Sequence, residues 1–160
     1  MNAQLKPVDT RPVFARESGI DVMPEIGHLL EEHYEEVTHH RDIPVGCDYE
    51  HYLKLDKAGI LRIYTVRVMG ELVGYGIYTV GHSKHYKSSY QARQDTLFLS
   101  AAHRRGSAGY RFIKWLHEQL RAEGVQIVYD HGKFVKDIQS IFERLGAEPV
   151  YYMYGRRLDK

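Results

Sequence analysis

The chain has 160 residues, 43% of them hydrophobic and 27% charged, a length and composition that suit one globular domain with one core. Its 22 Lys and Arg stand against 21 Asp and Glu, for a net charge of +1, so no global field draws it to nucleic acid or to an anionic membrane. A single cysteine, Cys47, excludes an internal disulfide and, lacking CxxC spacing, offers no zinc or redox motif.

Residues 1–12 are mostly polar with two prolines and read as a flexible N-terminal segment without the apolar core of a signal peptide. No apolar run approaches the roughly 20 residues of a membrane helix, so a cytoplasmic location is expected. Val13–Arg16 reads as a short opening strand. Asp21 is a candidate cap for the next helix, with Pro24 in its first turn. Val22, Ile26, Leu29, Leu30 and Val37 then recur at helical spacing, with Glu31, Glu32, Glu35 and Glu36 on the other face. Asp48 is placed to cap a second helix that buries Tyr49, Tyr52, Leu53 and Leu55. Ile60–Met69 and Leu72–Val80 read as strands of a hairpin, with Gly70-Glu71 at the central positions of a type II′ turn. After a polar stretch from Gly81 to Ser89, a third strand of this group runs from about Tyr90 to Leu99. Ala108, Phe112, Ile113, Leu116 and Leu120 mark one face of a helix over Ser107–Glu123, with Gly124 as its C-terminal cap. A strand over Val125–Tyr129 follows. Phe134, Ile138, Ile141, Phe142 and Leu145 outline another helix ended by Gly146, and Val150–Leu158 is expected as a closing strand.

The most informative stretch is Leu97-Phe98-Leu99-Ser100-Ala101-Ala102-His103-Arg104-Arg105-Gly106-Ser107-Ala108-Gly109. A strand enters a basic loop of small residues, and a helix starts there. The free N–H groups and positive end of a helix favour an anion, small residues let a phosphate approach the backbone, and Arg104 and Arg105 add charge. The P-loop pattern GxxxxGK with Ser or Thr is absent, and the two glycines are too close for GxGxxG. The residues alone leave an ordinary strand-to-helix turn with a solvated Arg pair as the other reading.

Arg104 to Gly109 resembles the Gln/Arg-x-x-Gly-x-Gly/Ala signature of the GNAT acetyltransferases, with Ser107 at the middle glycine. Phe142-Glu143-Arg144-Leu145-Gly146-Ala147 is similar to the Y-E-K-L-G-F segment of that family, and the element order over residues 60–158 matches as well. The pattern is most similar to small GNAT-like proteins encoded by bacteriophages. The resemblance implies an α/β fold of mixed α+β arrangement over residues 1–160, with a central, mostly antiparallel mixed sheet flanked by helices. It implies acetyl-CoA as co-substrate, with its pyrophosphate on Arg104, Arg105, Gly106, Ser107, Ala108 and Gly109, its pantetheine arm along Phe98 and Leu99, and Phe142 beside it. The activity implied is direct transfer of the acyl group to a primary amine. Asp95, on the strand before the loop, is the candidate base; its other reading is an edge-strand charge facing water. Phe142 stands where many members carry a thiol-protonating tyrosine, which leaves His131 and Tyr154 as candidate acids. The asparagine expected early in the last helix is replaced near Val135, with Lys133 and Lys136 as alternative coenzyme contacts.

Ten histidines, including His39-His40 and the pair His82 and His85, show no metal-ligand spacing, and no metal is expected. His82, Lys84, His85, Tyr86, Lys87 and Tyr90 interleave aromatic and basic residues, as a nucleic-acid contact, a wall of the acceptor site, or a solvated loop would. The resemblance also implies a homodimer, with Tyr151, Tyr152 and Tyr154 either part of its interface or packed on the last helix. A GNAT-shaped binding module without catalysis is the alternative to an enzyme.

Overall fold

A computed structural model of the chain describes residues 10–133 and 138–160. Among these, five strands form one sheet in chain order: β1 (Val13–Glu17), β2 (Leu61–Val68), β3 (Glu71–His82), β4 (Tyr90–Leu99) and β5 (Ile127–Tyr129). The first four are antiparallel neighbours, and β5 joins β4 in parallel. This is the mixed, mostly antiparallel sheet expected from the sequence. The helices are α1 (Gly19–Val37), α2 (Tyr49–Lys57), α3 (Ala108–Ala122) and α4 (Gln139–Arg144), with a single 3-10 turn at Ala101–His103.

Alternation in the strands divides the core between the two faces of the sheet. Leu61, Ile63, Tyr75, Ile77 and Phe98 pack under Val22, Met23, Ile26 and Leu29 of α1. Tyr64, Val66, Tyr78, Val80 and Leu99 pack under Phe112, Leu116 and Leu120 of α3. Helical period on α1 and α3 and strand period in between therefore make a three-layer arrangement.

Several local expectations are corrected. Ser18, not Asp21, stands at the N-cap of α1; Asp21 lies in the first turn and accepts a hydrogen bond from the Ser18 hydroxyl. Asp48 caps α2 as read, accepting from His51 N–H at 3.0 Å, but Leu53 is exposed rather than buried. The β2–β3 turn centres on Met69-Gly70, since Val68 pairs with Glu71; both residues have positive φ, 53° and 86°, the conformation of a type I′ turn rather than type II′. Glu32 and Glu36 do not sit on a solvent face. Glu32 accepts from the hydroxyl of Ser100 and the N–H of Ala101, and Glu36 pairs with Arg104. The closing strand over Val150–Leu158 does not form. Tyr151, Tyr152, Met153 and Tyr154 are all exposed, so neither parity of the run finds a face to bury, and alternation has nothing to act on. The segment is held instead near its ends, by Tyr151 against Tyr129 and by Arg157 on Asp42. Phe134 lies outside the described residues, and α4 starts at Gln139.

The contact of β3 with β4 is unusually close at Gly74. A Cβ there would meet the Phe98 carbonyl oxygen and Leu99 Cδ1, each at 2.8 Å. Because one of these is backbone, Gly74→Ala is expected to destabilise the fold by about 1–3 kcal/mol through overpacking, read from denaturant midpoints. Gly81→Ala, with nothing within 4 Å of its Cβ, should stay within about 0.5 kcal/mol of the native chain.

Candidate functional site

β4 pairs with β5 only at Gln91, Ala92 and Arg93. Beyond Arg93 the two strands part, while β4 remains bonded to β3 as far as Leu99. Gln94 fills the throat of this opening: its side-chain amide donates to the His131 carbonyl at 3.1 Å, and its Oε1 accepts from the His131 N–H at 3.3 Å. One residue later the β3–β4 register slips, Tyr78 facing Gln94 and Ile77 facing Thr96. Asp95 is the extra residue of this bulge, the kind of irregularity that re-aims a side chain. Its carboxylate accepts from the Tyr52 hydroxyl of α2 at 2.5 Å.

Two cavities, about 620 and 600 Å3, flank this point and share His33, Val37, Asp95 and Thr96 in their walls. The first lies among α1, α2, β3 and β4, and Met23, Leu30, Tyr52, Leu55, Tyr75 and Ile77 line it. The second runs along the free edge of β4, from Gln94 to Leu99, to the loop and first turn of α3. Arg104, Gly106, Ser107, Gly109 and Tyr110 of that region line it, as do Lys133 and Arg144.

The loop has the shape that an anion requires. Gly106 adopts φ of +64°, where a side chain would be strained, and lets the chain turn sharply into α3. Ser107 is the N-cap but makes no side-chain cap bond, and the first turn holds no acid. The first helical bond is from Arg111 N–H to Ser107 O, so the N–H groups just before it have no acceptor within the helix. Ala108 is buried, and a Cβ on Gly109 would come within 3.7 Å of Ile141. The Arg104 guanidinium turns inward, donating to Leu99 O at 2.5 Å and to Glu36 at 2.6 Å and lying over the Phe98 ring. It fastens the loop to α1 and β4. Arg105 is exposed.

At the shared wall, the His33 ring stacks on Phe98 at 4.6 Å and its Nδ1 lies 2.8 Å from the Tyr75 hydroxyl. Burial, with the Arg104 charge nearby, pulls the His33 pKa down to about 4. His131 also lines the second cavity, and desolvation there, with Lys133, lowers its pKa below the ordinary range. Phe98 and Leu99 line the second cavity as well. Phe142 is buried behind Gly132 and lines neither cavity. Tyr154 is 90% exposed and also lines neither. The loop from His82 to Tyr90 borders neither cavity; Tyr86 is exposed, and its N–H and that of His85 donate to Ser83 Oγ. Val135 and Lys136 lie outside the described residues. No group of three His, Cys, Asp or Glu is placed to hold a metal ion among the described residues, and no helix there is long and apolar enough to cross a membrane.

Reading the sequence did not single out Tyr52, Gln94, Glu36 or His33. His33 alone left a usable signal, a polar residue four positions from both Leu29 and Val37 on the apolar stripe of α1.

The low His33 pKa sets a pH dependence. Between about pH 6.5 and 4 the unfolded chain takes up a proton that folded His33 refuses, so this group makes stability fall as pH falls through that window. The native chain should lose about 2 kcal/mol more across it than His33→Gln, which keeps a partner for Tyr75 but does not titrate; parallel urea titrations at pH 6.5 and 4 measure the difference.

No family model and no curated protein matches the chain, whereas solved structures do. An aminoglycoside acetyltransferase from an uncultured soil metagenomic sample, in complex with sisomicin, superposes with a TM-score of 0.72 at 18% identity, over 92% of this chain and 97% of that one. A predicted acetyltransferase with acetyl-CoA from Clostridium acetobutylicum gives 0.69 at 6% identity, over 92% and 97%. A transcriptional regulator from Bacillus halodurans C-125 gives 0.74 at 15% identity, over 92% and 100%. At such identities the likeness speaks for architecture: the chain has the fold of the GNAT acetyltransferases.

Proposed function

We propose that the chain is an acyl-CoA-dependent N-acyltransferase that moves an acetyl group from acetyl-CoA to a primary amine in a ternary complex, in the cytoplasm. The observation that carries this reading is the meeting of two cavities at Asp95 and His33, one of them ending in an anion-binding helix start. An acetyl-CoA-bound structure of the same fold supports it.

The residues present suit the coenzyme. The N–H groups of residues 106–109 face a pyrophosphate, Lys133 and Arg144 add positive charge, and the free edge of β4 offers backbone partners to the amides of the pantetheine arm. The coenzyme supplies a thioester, whose carbonyl carbon is the electrophile. Asp95 takes a proton from the incoming ammonium, directly or through one water, and the freed amine attacks that carbon. A C–N bond would form and the C–S bond break, the electron pair leaving on sulfur, while the second proton of the attacking nitrogen passes through water to that thiolate. His131, kept neutral by its low pKa, serves as a hydrogen-bond donor toward the departing sulfur rather than as a charged acid. A thiolate is a good leaving group, so the loss of a tyrosine at Phe142 is tolerable. Positioning carries most of the rate, and the Tyr52 hydroxyl fixes the carboxylate.

The second reading, a binding module that has lost catalysis, is favoured by Ser107 at a glycine position and by the likeness to a transcriptional regulator. Calorimetry with acetyl-CoA separates the two. The native chain is expected to bind, and an Arg104→Ala/Gly109→Trp chain, still folded by circular dichroism, is expected not to. In turnover, Asp95→Ala should lower kcat by about 100-fold or more with acetyl-CoA affinity within about twofold, and Tyr52→Phe should lower kcat/KM by about 5- to 10-fold. Full turnover by Asp95→Ala would remove the base assignment. Absence of binding to acetyl-CoA and to longer acyl-CoAs would leave the binding module.

A further inference from the structure

The two cavities differ in charge, and the difference bears on the acceptor. The coenzyme side carries Arg104, Lys133 and Arg144. The other side, among its described residues, is lined by no Lys or Arg; its walls are mostly aliphatic and aromatic, with Cys47, His51, Thr79 and Thr96 between them, and its acids are Asp48 and Asp95. Asp48 is committed to the start of α2 through His51 N–H. Asp95 is thus the one carboxylate at the inner end, where this cavity opens onto the other.

We infer that the acceptor is an apolar monoamine, an aryl- or alkylamine whose only charge is the reacting ammonium. This rests on the transfer reading above. An ammonium entering with its apolar body against Ile26, Leu30, Tyr52, Leu55 and Ile77 meets Asp95 at the inner end. An amine that also bears a carboxylate or phosphate would have to place that anion where, among the described residues, no Lys or Arg lines the wall and the basic neighbours are the exposed His51 and the half-buried, neutral His33. A polyamine or an aminoglycoside would bury several ammonium groups and hydroxyls against mostly apolar walls with Asp95 as the one carboxylate at the inner end, the exposed Asp48 standing at the start of α2. Of the other polar residues at the junction, Thr96 carries no charge and His33 is held neutral by burial, so neither repels the ammonium. A volume of about 620 Å3 suits a small organic ligand.

The test compares four acceptors with acetyl-CoA: 2-phenylethylamine, L-phenylalanine, glucosamine 6-phosphate and sisomicin. The kcat/KM for 2-phenylethylamine should exceed each of the others by about 50-fold or more, because exclusion of an unpaired buried ion is a strong discriminator. Val45→Arg, which puts a guanidinium at the exposed part of this wall, should narrow the gap between 2-phenylethylamine and L-phenylalanine by about tenfold or more. Calorimetry of 2-phenylethylamine into the coenzyme-free chain should show binding that Asp95→Asn weakens by about tenfold. Equal or better turnover of L-phenylalanine, the sugar phosphate or sisomicin overturns the acceptor class and leaves acyl transfer standing. Binding of 2-phenylethylamine that depends on Asp95, in a chain that binds no acyl-CoA, upholds the cavity's preference and removes acyl transfer. A chain that neither binds nor acetylates 2-phenylethylamine overturns the inference.

Discussion

The site depends on where the pairing of β4 with β5 stops. Had the ladder continued past Arg93 and Tyr129, the edge of β4 from Asp95 to Leu99 would be spent on β5, and neither the second cavity nor its approach to Asp95 would exist. Parting two strands inside a sheet leaves backbone donors and acceptors without partners, which is costly where water is excluded. Gln94 meets that cost at the throat, using both ends of its amide on the main chain of His131. The next residue is the bulge, so the same two positions end one ladder and turn Asp95 toward Tyr52.

A division of labour in charge follows from this geometry. Arg104 looks in sequence like a phosphate ligand, but its Nε and one Nη are engaged by Leu99 O and Glu36. The anion-binding character of the loop therefore rests on backbone N–H groups and on the helix end, which hold their direction without side-chain entropy. Lys133 and Arg144 also line this cavity, and the Arg144 guanidinium is steadied over the Tyr110 ring at 4.6 Å. Glu32 and Glu36 hold the approach to the loop from the α1 side. Among the described lining residues, Lys and Arg thereby stand in the second cavity alone, and the inner end of the first is left to Asp95.

Much of the architecture was legible because periodicity reports burial. The stripes of α1 and α3, the β2–β3 hairpin and the strand entering the basic loop all follow from residues that bury one face. The same logic failed at Val150–Leu158, where β-prone tyrosines and valine satisfy strand propensity but find no sheet to pack on; such propensity reports fit to a half-buried surface, which is absent there. The Met69-Gly70 turn was misplaced by one residue because a non-glycine residue takes a positive φ, which composition does not announce. At the site, the strand-to-helix loop was readable as a local pattern, and Asp95 was singled out through the family resemblance. Tyr52, Gln94 and Glu36 were not, since each matters through a partner 37 to 68 residues away in sequence.

His33 shows how a core position becomes part of a site. Its place on the apolar stripe of α1 brings it against Phe98 and Tyr75, and that packing removes the water that would stabilise an imidazolium. The ring that results is neutral, rigid and shared by both cavities. A charged group at this junction would oppose an ammonium arriving beside Asp95. A purely aliphatic one would leave the Tyr75 hydroxyl unpartnered at the same wall. Neutral imidazole meets both conditions, and the burial that stabilises α1 on the sheet is what keeps it neutral.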